Sequence, residues 1–395
     1  MCELLEGNVH LSHDLIRLGF VKLFIFLTRP ISATYTDDLL EKYKHEVMEH
    51  RDKDGWLIDQ ETSAILAGKG IGEVNKLARD DYITINHLNL ARSLDFVRSN
   101  NSWARFGYLF ASLFADESGT AIFFDTKKLD EILKSEGLVG SFRVEEKPIF
   151  ASALLSADID GSISLLKCLS NQEGSISEIR DSYFPALASW YEEKAQFEFA
   201  PEKRYRYLQR AKELTKIKEI KNRIESKGKE YLLEKKRTHA YEQAYPRLQF
   251  LKDLGFVSGR DKFKLTEKGD HLSKLVVLSR IPSTGKRSLE AVPGLLRSEL
   301  LLRNEVVKLY SEGMRSVDAD GFDKIFEQTC RFYSKIGMVL FSYENIFLAT
   351  SAMAIRSKAS LDLSLFESYT TEMALEKRIV ISDTGRGEKY IKPLG

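Results

Sequence analysis

The stretch LQFLKDLGFVSGRDKFKLTEKGDHL, residues 248 to 272, limits what this chain can fold into more than any other part of it. A helix-like run ends at Gly255, a residue free to take the left-handed conformation that closes many helices. Phe256 and Val257 form a short apolar segment, Ser258 to Asp261 are polar, and Phe263–Lys264–Leu265–Thr266 alternates with the period of a strand. Glu267–Lys268–Gly269 then leads into a second helix-like run. The order predicts a two-stranded hairpin over 256–266 that packs on the helix before it, with cationic residues on and beside it.

At 395 residues the chain has length for roughly two to four domains. A hydrophobic fraction of 43% and a charged fraction of 30% fit a folded protein. Net charge is +1, so attraction to nucleic acid or to an anionic membrane has to be local. Cys2, Cys168 and Cys330 lie far apart without CxxC spacing. This argues against a disulfide framework or a cysteine zinc site, and for a reducing, cytoplasmic setting. The early stretch LIRLGFVKLFIFLTRPI carries Arg17 and Lys22 and is too short and too charged to span a bilayer. It reads as a buried helix, and no membrane association is expected.

Residues 1 to about 115 read as helical, with Leu39, Leu40, Tyr43 and Val47 near helical spacing behind Thr36 as N-cap. Residues 118–150 read as strand, helix, strand. From 153 two short helices follow, and Ser175 with Glu178 three residues on fits a capping box. A long charged helix, roughly 202–236, has a clear excess of Lys and Arg, whereas the span before it is acidic. Leu208, Ala211, Leu214, Ile217 and Ile224 mark one apolar stripe along it, which would suit a homodimer seam.

The helix–Gly–strand–turn–strand order recurs. FDKIFEQTCRFYSKIG ends in Gly337 and is followed by MVLFS, a turn at Tyr343–Glu344–Asn345, and IFLAT, which predicts a hairpin over 338–349. LDLSLFESYTTEMALEK leads into RIVISDTGRGEKYIKPL, which predicts a hairpin over 378–391 around Asp383 to Gly387. LKDLGFVSGRDKFKLTEKG resembles the end of the third helix, the wing and the exit of winged helix-turn-helix proteins. The resemblance implies a mainly α fold with small β-hairpins: tandem winged-helix domains joined by a long charged helix. The expected domains are an N-terminal helical one over 1–150, a winged-helix one over 151–290, and a C-terminal winged-helix region over 291–395.

A helix fits the major groove and a wing touches the neighbouring backbone, so cations there would meet phosphates. The residues placed for duplex DNA are Lys235, Lys236, Arg237, Arg247, Lys252, Arg260, Lys262, Lys264 and Lys268, joined by Lys377, Arg378, Arg386, Lys389 and Lys392 at the last hairpin. Catalytic signals are weak. His45 and His50 are five apart, off the spacing of a zinc-protease helix. GKGIG, Gly68 to Gly72, lacks a P-loop ending, and DADGFD lacks the final Glu of a calcium loop, so Asp320 reads as a helix cap. Asp125 with Lys127 and Glu145 with Lys147 read as strand-adjacent and formally fit the D/E-x-K triplet of a metal-dependent nuclease, a short pattern frequent in so charged a chain. The sequence therefore points to a non-enzymatic DNA-binding protein without cofactor or metal, acting in a larger assembly with protein partners. The alternatives are a scaffold subunit whose winged helices dock proteins, with a layout broadly similar to kleisin-type subunits, and a subunit of a restriction-type nuclease.

Overall fold

The computed structural model describes residues 17–31, 33–50, 81–134, 142–170, 173–198, 200–227, 243–275, 278–282, 289–293, 299–383 and 389–394. Helices dominate, and the sheets are small. Among the described residues five α-helices come first: α1 Val21–Leu27, α2 Thr36–His50, α3 Asp81–Ser93, α4 Arg105–Ser112 and α5 Thr126–Lys134. The middle carries α6 Lys147–Ser170, β1 Gly174–Ser175, α7 Ile176–Phe197, α8 Pro201–Lys227, α9 Ala244–Asp253, β2 Val257–Gly259, β3 Lys262–Leu265, α10 Glu267–Leu275, β4 Leu278–Pro282 and β5 Leu289–Pro293. Last come α11 Glu299–Ser311, β6 Arg315–Ser316, α12 Ala319–Lys335, β7 Phe341–Ser342, α13 Tyr343–Arg356, β8 Ala359–Ser360, α14 Leu363–Leu375, β9 Ile379–Asp383 and β10 Lys389–Pro393.

The chain forms two compact units, not three consecutive domains. One comprises residues 1–18 and 154–298, the other residues 19–153 and 299–395. Residues 299–395 join the early helices because side chains tie them together. Gln328 donates to the Ala115 carbonyl at 2.9 Å and Arg356 to the Leu113 carbonyl at 2.6 Å. The core of this second unit is aromatic: Trp103 donates from Nε1 to the Ile25 carbonyl, and the Phe26 ring meets those of Phe110, Phe114 and Phe123 edge-on at 5.0 to 5.5 Å. All of α1 except Leu27 is buried, as its sequence predicts, and its lysine is buried with it. Lys22 survives there because Glu146 lies 2.5 Å away and the Phe142 ring faces the ammonium at 4.2 Å.

One succession of elements occurs in both units. In the first unit it is α6, the two-residue strand β1, α7, then after α8 the third helix α9 and the hairpin β2–β3. In the second it is α12, β7, α13, the third helix α14 and the hairpin β9–β10. The sheets match as well, with orders β1-β3-β2 and β7-β10-β9, so the last strand always lies between the other two. Ser175 opposes Lys262 in one, and Phe341 opposes Ile391 in the other. Each third helix closes through a left-handed residue, Gly255 (φ 81) or Lys377 (φ 59), and the next amide returns to the helix. Phe256 donates to the Leu251 carbonyl and Arg378 to that of Met373. The capping box of Ser175 and Glu178 is present at the start of α7.

Three expectations need correction. Residues 338–349 are not a hairpin: only Phe341–Ser342 is strand, and Tyr343–Arg356 is a helix with eleven of its fourteen residues buried. A short run apolar on every side has no period, so a buried helix and a buried strand look alike in sequence. The described residues of 118–150 are not strand, helix, strand either. Ile122–Phe124 is a 3-10 turn, and the segment after Phe142 is a turn pinned by Glu146, which accepts from the Arg143 amide. Asp125 accepts from the Lys127 amide at the start of α5 and Lys147 opens α6, so neither nuclease triplet stands on a strand. The capping acid of α12 is Asp318, not Asp320.

Helix α6 is long and apolar enough to cross a bilayer by length and composition, but 83% of its apolar window is buried in protein. It also kinks at Asp158 (φ −140, ψ 48), where the helical bonding is interrupted. The Asp158 carboxylate receives the Arg247 guanidinium of α9 through two bonds of 2.5 and 2.9 Å, with both side chains 3% exposed. A Cβ on Gly161 would stand 2.4 Å from Arg247 Nε, so the approach needs a glycine there. Burial alone would lower the arginine's pKa, but Asp158 beside it holds it above the ordinary value. Removing one partner leaves a buried charge alone. Arg247→Met should therefore cost the first unit about 3 to 5 kcal/mol in urea unfolding, and Asp158→Leu added to it should restore most of that. A cost under about 1 kcal/mol for Arg247→Met alone would contradict the assignment.

Candidate functional site

The candidate surfaces are the two hairpins and the third helices that precede them. In the first unit the period of β3 sets the pattern: Phe263 is buried while Lys262 and Lys264 are exposed on the other face. Arg260 stands exposed in the turn. Asp261 sits beside it, and Glu173 Oε1 lies 3.6 Å from the Lys262 ammonium, so the patch is cationic but partly offset.

The remaining predicted residues are dispersed. Arg247 is a core residue bound to Asp158 and cannot reach a phosphate, which corrects its assignment as a DNA ligand. Lys252 and Lys268 are half-buried, and each is engaged within the chain. Arg378 is taken up by three carboxylates, Asp323 at 2.8 Å and Glu327 and Glu376 at 3.5 Å, and the hydrogen bond it donates to Asp323 leads the causes that raise its pKa. Lys377, Lys389 and Lys392 are exposed, with the Lys389 ammonium 5.7 Å from the Tyr343 ring centre. Lys235, Lys236, Arg237 and Arg386 lie outside the described residues. Of the apolar stripe of α8, Ala211 and Leu214 are buried whereas Leu208 is 45% exposed, and the neighbouring Tyr207 stacks on Tyr191 of α7.

The third helices carry the information that composition hid. In α9 seven of ten residues are buried, including Arg247 and Gln249. Its end is held by the segment before α1, where Arg17 Nε lies 2.7 Å from Asp253 and the Leu18 amide donates to the same carboxylate. Helix α14 buries only Phe366, Thr370 and Met373. Its exposed residues are Ser364, Glu367, Ser368, Thr371, Glu372 and Leu375, with Glu376 directly after, and none of them is cationic. The acidic letters were legible in the sequence. Which of them face outward was not.

A cleft of about 910 Å³ opens at the base of the β9–β10 hairpin, between α12 and the end of α14. Phe326, Cys330, Met373 and Ile379 form its apolar lining with Pro393 and Leu394, and Arg331, Lys335, Lys377 and Arg378 stand around it together with one carboxylate, Glu327. Among the described residues no group of His, Cys, Asp and Glu has the arrangement of a metal site. Comparison of the chain with family models, curated proteins and solved structures finds no match, so its function has to be argued from geometry.

Burial pushes the Cys330 thiol up to about 12, with the Glu327 charge adding to the effect, and the Cys168 thiol up to about 11. Both stay protonated near neutrality, and a thiol reacts as its thiolate. In the folded protein a disulfide reagent at mildly alkaline pH should leave both unmodified for as long as it takes to label the unfolded chain completely. Peptide mass mapping reads the outcome, and rapid labelling of Cys330 would show that the cleft floor is not packed as described.

Proposed function

We propose that this chain is a scaffold subunit whose two repeated units are winged-helix modules used to dock proteins. The matching order of helix, short strand, helix, third helix and hairpin, with the same strand order in both sheets, supports the winged-helix assignment. The layout is broadly similar to that of kleisin-type subunits, in which such modules hold partner proteins.

One observation carries the choice between protein and DNA. A winged helix that reads duplex places its third helix in the major groove, where side chains must protrude and phosphates favour cations. Helix α9 is buried along most of its length, and the exposed face of α14 bears Glu367 and Glu372. A buried helix cannot enter a groove. An acidic one is repelled by phosphate, most strongly at low salt. These features favour a protein partner for the module faces.

A second reading has its own support in Arg260, Lys262 and Lys264, which could meet phosphates from the β2–β3 hairpin without reading bases. Titration of the full chain against duplexes of unrelated sequence at rising salt separates the two. Docking through proteins predicts weak, sequence-indifferent binding with a salt slope of roughly two to three, the number of hairpin cations. Arg260→Glu with Lys264→Glu should remove it, whereas Glu367→Gln with Glu372→Gln should change it less than about three-fold. Tight, salt-resistant binding to one sequence, weakened by substitutions on α14, would overturn the scaffold assignment.

A further inference from the structure

We infer that the cleft at the base of the β9–β10 hairpin is a docking site for a short acidic segment of a partner protein, one that carries apolar anchor residues between its carboxylates. The inference rests on the docking role proposed above and specifies its chemistry. The cleft is deep in apolar side chains: Phe326, Met373 and Ile379 are each under 5% exposed at its floor, and Leu394 at its edge is 51% exposed. A segment laid there would cover Leu394 and gain from burying its own apolar groups.

Charge decides what kind of segment fits. The two arginines at the cleft already have internal carboxylates, Arg331 with Glu327 at 3.0 Å and Arg378 with Asp323 and its neighbours. Lys335 and Lys377 are different, because both are exposed and neither has a carboxylate partner among the described residues. They flank an apolar surface with positive charge that no described carboxylate pairs with. An acidic partner would meet them, whereas a basic one would be repelled.

The backbone at Lys377 gives an independent reason to take that charge seriously. It holds the left-handed position after α14, with φ 59, where glycine is favoured and where the first unit has Gly255. A lysine there is conformationally costly, and its side chain is exposed. Binding offers a use for it.

The test is a selection of random short displayed peptides on the immobilised full chain, followed by anisotropy titration of labelled synthetic copies. Enriched sequences should be net acidic with at least two large apolar residues. Their affinity should fall about ten-fold on Lys335→Glu with Lys377→Glu. Lys377→Gly keeps the turn and removes only the charge, so it should weaken binding about three-fold without lowering the melting temperature. Acidic peptides that bind the Lys335→Glu, Lys377→Glu chain as well as the parent would overturn the cleft, as would enrichment of basic or uncharged sequences. Peptides that cross-link only to residues 154–298 would refute this cleft while leaving the docking role standing. No enriched peptide, together with salt-resistant duplex binding, would refute both.

Discussion

The first unit depends on one buried ion pair. Asp158 interrupts its own helix, and two charged side chains are taken out of water together where either alone would be untenable. The pair is not evidence of great net stability, because desolvation offsets much of its attraction. It fixes geometry. Arg247 is pinned to α6, so α9 is held against the helix that precedes β1, and Gly161 leaves room for nothing larger. Two residues further on, Asp160 accepts from Trp190 at 2.7 Å and from Lys194 at 2.9 to 3.0 Å, which ties α7 to the same helix. Helices α6, α7 and α9 thus share adjacent carboxylates, and the hairpin inherits its position from them.

That constraint has a functional consequence. The third helix of the first unit is used for packing, and its hairpin presents exposed cations. The second unit solves the same succession of elements differently. Its third helix is anchored by Phe366, Thr370 and Met373, with the Thr370 hydroxyl 3.2 Å from that of Tyr343, and the opposite face is left to solvent. The same topology therefore offers two unlike surfaces: a small cationic hairpin in one unit, and in the other an acidic helix beside an apolar cleft with lysines. Under the proposed docking role, unlike surfaces of this kind would serve different partners, whereas repeated contact with one polyanion would favour like surfaces.

The sequence was most legible where the signal is local. The hairpins at 257–265 and 379–393 were visible because strand alternation, turn residues and a helix stop fall within a few residues of one another. The capping box and the buried α1 were visible for the same reason. Long-range pairing was not. Arg247 looked like a surface cation because its partner is 89 residues away, and Arg378 looked available because Asp323 is 55 residues away. Helix α13 reads as a strand because it is buried on most sides and shows no clear period, and the cleft is invisible in the sequence because its walls come from four separate stretches.

Hydrogen–deuterium exchange on the full chain, alone and with saturating duplex at low salt, tests the central claim most directly. If α9 is packed and α14 turns an acidic face outward, amides of 244–253 exchange among the slowest in the chain, and duplex protects at most residues 258–264. Fast exchange across 244–253, or protection of 363–375 by duplex, would contradict it.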